Sequence, residues 1–460
     1  MNAKEFLSKL PSTPLWFEAT PARSALETDT QADVAIVGAG YTGLWTAYYL
    51  LKEQPSLRVV IVEREHVGFG ASGRNGGWAS AIFPISLKQV SKISSHADAL
   101  QLQAAMNDTV DEIGRVLSAE DIQADYARQG FVSLARTSAQ VARAQASVRA
   151  SSDFGLPYQW RALDSAEARD MVGAEGVMGG LFTDHCALVH PGKLVRGLAR
   201  KVEAMGAIIH ERTPATEIRP NCVVTPRGRL TAPIVVRATE AFSCQQPGHR
   251  RSVIPLYSLV LATEPLGQDV RDALNLNHRR AFNDMRHLRV YAQITTDGRM
   301  VFGGRGAPYH LGSKIPARND LVDTVHAKIH QAMLEFFPSL QGTRITHRWG
   351  GPLGVARDCC PSVGLDEATG MAWAGNYVGD GVATSNLAGR LLRNLILKRD
   401  EAINRLPLVN HRSPLWEREP LRWFGVNCGL TAATLGDAEE RVTRRPSHVA
   451  HMLEALTGAH

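Results

Sequence analysis

The sequence is poor in cysteine and has no cysteine pair of the kind that binds a metal. Only six cysteines occur among 460 residues, and none forms a C-x-x-C pair. This pattern excludes zinc-ribbon and thioredoxin-type sites and is typical of a reduced, intracellular protein. The sequence shows no metal cluster, so we predict no metal site.

Long apolar runs and a strong charge bias are also missing. No apolar run reaches the roughly 18 residues that a membrane helix needs, and the N-terminus has no apolar signal-peptide core. The net charge is +6 and the basic residues are scattered, which gives little support for nucleic-acid binding. We therefore expect a cytoplasmic protein with no membrane and no nucleic-acid partner.

The composition and length are those of a globular protein with more than one domain. Hydrophobic residues make up 44% and charged residues 21% of the chain, which excludes a disordered or fibrous protein. At 460 residues, the chain is long enough for two domains of unequal size. Glycine is slightly enriched, and the excess is concentrated in a few loops.

A strand, a glycine loop, a helix and a second strand follow one another near the N-terminus. The pattern predicts a buried strand over residues 33–37, a helix over 44–52 and another buried strand over 58–63. The free N–H groups at the start of such a helix are suited to bind a phosphate. This order of elements is typical of dinucleotide-binding domains.

The residues in the first loop fit the same function. Gly38 permits the tight turn, Gly40 lets the backbone approach a pyrophosphate, and Gly43 lets the helix pack closely on the strand. Glu63 ends the second strand, where a carboxylate can accept hydrogen bonds from ribose hydroxyls. The unit therefore predicts a bound dinucleotide, which at this point is either NAD or FAD.

A second glycine-rich loop distinguishes between the two dinucleotides. It covers residues 67–78, of which five are glycine, and Ser72, Arg74 and Asn75 lie between the glycines. Such a loop offers backbone N–H groups to an anion and lets a flat ring approach closely. The loop therefore favours FAD.

With these two loops, the sequence resembles the D-amino-acid oxidase-type FAD-dependent oxidoreductases. Within that family it is most similar to the branch of gamma-glutamylputrescine oxidase and related amine oxidases. The similar segments are G-A-G-Y-T-G at residues 38–43, Glu63, and G-F-G-A-S-G-R-N-G-G at residues 68–77. The resemblance implies FAD, a substrate domain interleaved with the FAD domain, and oxidation of a C–N bond.

Later segments extend the resemblance over residues 30–400. In the family, Ala215 corresponds to a strand whose backbone contacts the adenine, and Ala238 and Thr239 belong to the turn that closes the nucleotide domain. Gly351 lies in a Trp-Gly segment that the resemblance places near the isoalloxazine ring. We therefore expect the second half of the chain to complete the cofactor site.

A helix predicted over residues 383–398 follows a glycine turn. The resemblance places its N-terminus at the flavin N1 and C2 edge, where a helix dipole stabilises negative charge. Asp380 stands where the family usually has histidine, and its carboxylate would oppose that effect unless it points away. Cys359 and Cys360 replace positions that the family does not use for covalent attachment, so we expect non-covalent FAD.

Taken together, the two loops and the resemblance predict a set of FAD contacts. They are Gly38, Gly40, Tyr41, Thr42, Gly43, Glu63, Arg64, Gly70, Ala71, Ser72, Arg74, Asn75, Gly76, Gly77, Ala215, Ala238, Thr239, Gly351, Gly379, Asp380, Gly381 and Val382.

The substrate side is predicted less sharply, because an amine oxidase of this type needs no strong acid–base group. The candidates for lining the substrate site are Trp78, Tyr257, Tyr291, Gln293, Arg305 and Trp349. For each of them, the alternative to substrate contact is ordinary packing. Gln293 stands where relatives often carry an arginine. Since an amide cannot neutralise a carboxylate, Gln293 favours an amine over an amino acid.

The expected fold class is α/β, with a Rossmann-type FAD-binding domain and an interleaved substrate domain on a mixed or antiparallel sheet. The predicted segments are an N-terminal arm at 1–30, the FAD domain at 31–90, 150–245 and 341–400, the substrate domain at 91–149 and 246–340, and a C-terminal extension at 401–460. The extension contains several aromatic residues and a predicted helix over residues 447–456. These aromatic residues either cap the FAD domain or form a homo-oligomer contact.

Three functions remain open from the sequence. The first is an FAD-dependent amine oxidase or dehydrogenase, which passes a hydride from a small amine or amino-acid-like substrate to flavin N5 and then reduces oxygen or another acceptor. The second is a flavin-dependent hydroxylase, although no second G-x-G-x-x-G is present for NAD(P)H. The third is a non-catalytic flavoprotein.

Overall fold

The computed structural model describes residues 10–449, without the side chains of residues 317 and 318. Residues 450–456 of the predicted C-terminal helix and residues 1–9 of the predicted arm lie outside this range. Within it, the α/β class predicted from the sequence is confirmed by several sheets with helices packed on them.

The strands in chain order are β1 (Thr30–Gln31), β2 (Val34–Val37), β3 (Val59–Val62), β4 (Trp78–Ser80), β5 (Phe131–Ala135), β6 (Arg161–Leu163), β7 (Gly179–Thr183), β8 (Cys186–Leu188), β9 (Ile208–His210), β10 (Glu217–Arg219), β11 (Cys222–Val224), β12 (Arg229–Thr231), β13 (Ile234–Arg237), β14 (Ile254–Pro265), β15 (Ala281–Asp284), β16 (Val290–Ile294), β17 (Arg299–Gly304), β18 (Ile345–Val355), β19 (Ser362–Asp366) and β20 (Met371–Gly375).

The α-helices are α1 (Tyr41–Glu53), α2 (Leu87–Ile93), α3 (His96–Ala119), α4 (Ser138–Asp153), α5 (Ser165–Met171), α6 (Pro191–Ala204), α7 (Gln268–Ala273), α8 (Asp323–Phe336), α9 (Gly381–Leu397) and α10 (Leu421–Thr443). Two 3₁₀ segments matter for the site, Ala71–Gly73 and Glu240–Gln245.

A six-stranded sheet in the order β19-β20-β13-β2-β3-β9 forms the nucleotide-binding half. Its strands pair in parallel, except that β19 runs antiparallel to β20 at the edge. Every residue of β2 and β3 is buried, as expected of valine- and isoleucine-rich strands covered on both faces. The predicted strand–helix–strand unit therefore forms β2, α1 and β3.

Two helices lie side by side on this sheet with their backbones in close approach. A Cβ atom added to Gly389 of α9 would lie 2.7 Å from the Trp45 Cβ and 2.8 Å from the Trp45 carbonyl carbon. Trp45 is fully buried between the helices. The absence of a side chain at Gly389 is therefore what lets α9 rest directly on α1.

An eight-stranded sheet in the order β18-β14-β17-β16-β15-β5-β7-β6 forms the other half. Its pairs are antiparallel except for β15 with β5, which is parallel. Apolar residues of α8 pack against it, including Ile329, Met333 and Phe336. This agrees with the mixed or antiparallel sheet expected for the substrate domain.

Sheet membership differs from the predicted segment boundaries at three places. Strands β6 and β7 belong to the eight-stranded sheet, although residues 150–245 were assigned to the FAD domain. Strand β18 also joins that sheet, whereas 341–400 was assigned to the FAD domain. Helix α3 instead packs in the core shared by α1 and α9. These partners are distant in sequence, so local patterns carry no information about them.

The N-terminal arm is bound along its described length. Trp16 is 2% exposed and packs with residues of β14, β17 and β18. Further along, Arg23 donates to Glu203 and Glu211, and β1 adds in parallel to β12 of a four-stranded sheet in the order β1-β12-β11-β10. The arm therefore connects both halves of the molecule.

The C-terminal extension ends the described chain with α10, which lies against the substrate half. Glu440 accepts hydrogen bonds from Arg143 and His287, and Asp437 accepts the backbone N–H groups of His287 and Leu288. Among residues 10–449, no helix has both the length and the apolar character required to cross a membrane.

Two glycine substitutions should have opposite effects on stability, because one lies at the contact between α1 and α9 and the other lies in α10, away from that contact. Gly389→Ala should lower the free energy of unfolding by about 1–3 kcal/mol, because the new methyl group meets backbone atoms that cannot move aside. Gly425 in α10 has no atom within 4 Å of its added Cβ, so Gly425→Ala should raise stability by about 0.5–1 kcal/mol. Urea unfolding of both variants measures this. Equal effects of the two substitutions would contradict the close packing.

Candidate active site

The turn between β2 and α1 leaves the start of the helix open toward a cavity. Gly38 has φ +112, and an added Cβ would lie 2.5 Å from the Ala238 carbonyl oxygen. Gly40 is the N-cap of α1 and provides no capping side chain. The Tyr41 N–H donates to Ser72 Oγ at 2.8 Å. Apart from the Tyr41 N–H, the first turn of α1 presents its backbone N–H groups where a pyrophosphate would bind.

Glu63 lies at the end of β3, on the wall of the same cavity. Its carboxylate accepts the N–H of Ala39 at 2.9 Å and the N–H of Glu65 at 3.1 Å. Burial raises the pKa of Glu63, and the two N–H donors oppose that rise. A carboxylate has about four acceptor positions, so two remain for the ribose hydroxyls that the sequence assigns to Glu63.

The cavity has a volume of about 1190 Å³ and runs from β3 to the start of α9. Most of the predicted FAD contacts line it: Gly38, Gly40, Tyr41, Thr42, Glu63, Arg64, Gly70, Ala71, Ser72, Asn75, Ala215, Ala238, Thr239, Gly379, Gly381 and Val382. Gly43 instead provides packing, since an added Cβ would lie 2.0 Å from the Gly38 carbonyl oxygen. The lining, with its exposed helix starts, fits FAD.

Glu240 is a cavity residue that the sequence analysis missed. It directly follows the turn after β13, and its carboxylate accepts the N–H groups of Gly354 at 2.7 Å and Tyr377 at 2.9 Å. Burial raises its pKa, and these backbone donors oppose the rise. Glu240 therefore ties together three segments of the cavity wall. An acidic residue soon after a predicted strand is the sequence signal that could have identified Glu240, as it identified Glu63.

The N-terminus of α9 also opens into the cavity. Asp380 is its N-cap and makes no side-chain capping bond, while Gly379, Gly381 and Val382 line the wall. Thr42 and Tyr377 join the starts of α1 and α9 through a hydroxyl–hydroxyl hydrogen bond of 2.9 Å. Two helix N-termini thus face one cavity, and each offers partial positive charge.

A second cavity, of about 910 Å³, adjoins the first. Both are lined by Ala71, Asn75, Leu353, Gly379 and Val382. Of the predicted substrate residues, Trp78, Tyr291 and Arg305 line this second cavity. Four predicted FAD contacts also lie on it: Arg74, Gly76, Gly351 and Asp380. The junction is therefore the place where a flavin ring and a substrate would meet.

Three predicted substrate residues line neither cavity. Tyr257 is buried within β14, and Trp349 donates its Nε1–H to the Arg74 carbonyl at 2.9 Å. Gln293 donates to the carbonyls of Gly76 at 2.6 Å and Gly77 at 3.1 Å. Gly77, a predicted FAD contact, likewise lines neither cavity. Successive side chains of a strand point to opposite faces of the sheet. The sequence does not show which of the two faces each of these residues occupies.

The second cavity contains polar residues that the sequence analysis did not single out. Asn283 and Arg289 line it, and so does Ser258, which shares a 2.7 Å hydrogen bond with the Tyr291 hydroxyl. These residues lie on β15, β14 and the segment before β16. No sequence motif marks them, because strand pairing across the sheet is what brings them together.

Arg74 and Asp320 form an ion pair beneath the glycine loop. Arg74 donates to the Phe69 carbonyl at 2.8 Å, to Asp320 at 2.8 Å and to the Gly350 carbonyl at 3.0 Å. Burial raises the pKa of Asp320 to about 6, and Arg74 opposes that rise. The positive charge of Arg74 is therefore neutralised within the protein.

Asp380 faces the second cavity together with two arginines. Burial raises the pKa of Asp380 to about 6, while the charges of Arg289 and Arg305 oppose the rise. Its side chain thus lies on the substrate side of the junction, and the carboxylate is ionised at neutral pH. Arg305 also donates to the Val378 carbonyl at 2.6 Å, which fixes its head group near Asp380.

Neither cysteine considered for covalent attachment lines a cavity. Burial raises the pKa of the Cys359 and Cys360 thiols, and a protonated thiol is a poor nucleophile. Cys360 packs in the core beside α9, and Cys359 packs against the same core. These positions agree with non-covalent cofactor binding.

Glu63 provides a direct test of the cofactor site. Glu63→Ala should weaken FAD binding by at least about tenfold, since it removes a charged acceptor of the ribose hydroxyls. Fluorescence titration of the apoprotein with FAD measures the change. Glu65→Ala is the matched control, because Glu65 is exposed and lines neither cavity. Equal affinity of the two variants would show that the ribose is held elsewhere.

Comparison with known proteins agrees with this geometry. The chain is 29% identical over 384 residues to the probable oxidoreductase OrdL of Haemophilus influenzae, covering 81% of this chain and 84% of that protein. It is also 29% identical over 383 residues to the gamma-glutamylputrescine oxidoreductase of Escherichia coli, covering 82% and 86%. Similarity thus extends over most of each protein.

A solved structure shares the fold. The glycine oxidase of Geobacillus kaustophilus superposes with a TM-score of 0.65 at 22% identity, covering 83% of this chain and 99% of that chain. In addition, the family model described as FAD dependent oxidoreductase (DAO) matches residues 33–395. The chain therefore belongs to the DAO family of FAD-dependent oxidoreductases, and FAD is its cofactor.

Proposed function

We propose that this oxidoreductase oxidises a C–N bond in a small amine that also carries an anionic group such as a carboxylate. The observation that carries the proposal is the second cavity, which meets the FAD cavity and is lined by Arg289, Arg305 and Asp380. Similarity to proteins named glycine oxidase and gamma-glutamylputrescine oxidoreductase supports amine oxidation.

The charges around the second cavity favour an acidic amine over a simple one. Asp320 neutralises Arg74, and among the described residues the other charged side chains on the wall are Arg289, Arg305 and Asp380. Guanidinium groups on the wall attract a carboxylate and disfavour a purely cationic amine. The positive charge that Gln293 cannot provide thus comes from Arg289 and Arg305.

The other residues fit a C–N oxidation. Bound FAD supplies a hydride acceptor at N5, which converts the amine to an imine that water hydrolyses. The apolar and aromatic wall, including Trp78, Tyr291 and Leu353, would hold the substrate carbon against the ring. The N-terminus of α9 provides partial positive charge at the junction. These contributions are orientation and electrostatics.

We take oxygen as the electron acceptor, with hydrogen peroxide as the product. Similarity to a protein named glycine oxidase from Geobacillus kaustophilus, at 25% identity over 398 residues, supports this choice. Flavin reduction by the amine without peroxide formation would indicate a dehydrogenase. The cytoplasmic location and the oligomeric state remain predictions from the sequence.

A comparison of paired substrates tests the proposal. Mixed anaerobically with the enzyme, amino acids and N-alkyl amino acids should bleach the visible flavin band faster than the corresponding amides. Deuterium on the carbon next to nitrogen should slow bleaching several-fold, because that C–H bond breaks. Arg289→Met should reduce the preference for the acid by about tenfold, as expected when a charge-assisted hydrogen bond is lost.

Two results of that experiment would contradict the proposal. Bleaching by NAD(P)H but not by amines would indicate a hydroxylase. Equal rates with acids and amides would show that the arginines do not bind a carboxylate.

Asp380 predicts a pH dependence of substrate binding. As the pH falls through about 6, Asp380 takes up a proton and loses its attraction for the substrate ammonium group. Substrate affinity should therefore fall below this pH in the wild type, and Asp380→Asn should flatten the profile. The dissociation constant from anaerobic flavin reduction measures this as a function of pH.

Asp320→Asn is the matched control, because burial also raises the Asp320 pKa to about 6 but this carboxylate is paired with Arg74. If the inflection disappears in Asp320→Asn and persists in Asp380→Asn, then Asp380 does not face the substrate.

A further inference from the structure

Four successive peptide carbonyls of the second glycine loop are each held by a side-chain N–H group. Trp349 Nε1 donates to the carbonyl of Arg74 at 2.9 Å, and Trp16 Nε1 donates to that of Asn75 at 2.8 Å. Gln293 Nε2 donates to the carbonyl of Gly76 at 2.6 Å and to that of Gly77 at 3.1 Å. These four residues, 74–77, form the held segment.

The donors approach the held segment from outside the two cavities. Arg74, Asn75 and Gly76 line the second cavity, whereas Trp16, Trp349 and Gln293 line neither that cavity nor the first. The carbonyl oxygens of the held segment therefore point away from the junction. The opposite side of the same peptides faces the place where a flavin ring would lie.

The three donors come from parts of the chain that are distant in sequence. Trp349 belongs to β18 and Gln293 to β16, while Trp16 belongs to the N-terminal arm. Trp16 and Trp349 pack edge to face, with ring centroids 6.1 Å apart. Trp16 also lies outside residues 33–395, the range that the family model matches.

We propose that Trp16, Trp349 and Gln293 are positioning residues that together fix the orientation of the held segment against the flavin. A peptide carbonyl turned into the junction would place its negative end against a ring that becomes electron-rich when reduced. The three donors prevent this rotation by binding every carbonyl of the segment. The N-terminal arm is thereby part of the cofactor site, although none of its described residues, 10–30, lines the FAD cavity.

This inference rests on the proposed function only in placing the flavin ring at the cavity junction. It does not depend on which substrate is oxidised or on the electron acceptor. FAD binding and the flavin spectrum test it without any amine, so the proposal of amine oxidation can fail while this one holds.

The Trp16→Phe variant tests the role of the arm. Phenylalanine keeps an aromatic ring beside Trp349 but leaves the Asn75 carbonyl without its indole donor. FAD affinity should fall by about tenfold, and the visible circular dichroism of the bound flavin should change because the segment beside the ring reorients.

Trp416→Phe is the matched control. Trp416 Nε1 donates to the Val355 carbonyl at 2.8 Å, so the same type of hydrogen bond is lost, and Trp416 does not contact the held segment. This variant should lose similar stability in urea but keep wild-type FAD affinity and the wild-type flavin spectrum. The proposal is overturned if Trp16→Phe and Trp416→Phe bind FAD equally well with identical spectra.

A second variant keeps the test decisive should Trp16→Phe fold poorly. Gln293→Met is close in volume but donates no hydrogen bond, so it should also weaken FAD binding and alter the spectrum. The fold-loss of FAD affinity in the double variant should be smaller than the product of the two single-variant losses, because either substitution alone already releases the same segment. Losses that multiply fully would show two independent contacts and would refute joint positioning.

Discussion

The close contact between helices α1 and α9 is the constraint on which the rest of the site depends. Gly389 lies directly on the backbone of Trp45, and the Thr42–Tyr377 hydrogen bond joins the starts of the two helices. Two helix N-termini can therefore open into one cavity, where one would face the pyrophosphate and the other the flavin edge. A larger residue at position 389 would separate them.

The charged side chains of the site fall into two groups with different tasks. Glu63, Glu240 and the Arg74–Asp320 pair hold loops together, and their charges are met by backbone N–H groups or by each other. Arg289, Arg305 and Asp380 instead border the second cavity. Because the second group borders the cavity, a bound substrate would meet its charges rather than those of the first group.

Cofactor binding could be predicted largely from the sequence, whereas substrate binding could not. Gly38, Gly40 and Glu63 act within one short strand–helix–strand unit, so their spacing along the chain is also their spacing in space. Tyr257, Gln293 and Trp349 were placed on the substrate side, but all three line neither cavity. The strands of Tyr257 and Gln293 were predicted as strands of the substrate domain, whereas the segment of Trp349 was assigned to the FAD domain but joins the same sheet. The face that each residue occupies was predicted for none of them.

The sequence by itself determined the α/β class, the FAD cofactor and, through the resemblance, the family, because these depend on local patterns of glycine, buried strands and a terminal acid. The tertiary structure alone decided that β6, β7 and β18 join the eight-stranded sheet, and that Arg289 meets Asp380 at the second cavity. It also brought Trp16 of the arm to the glycine loop. Each of these contacts joins residues far apart in the chain, and such pairings are selected by the packing of the whole molecule.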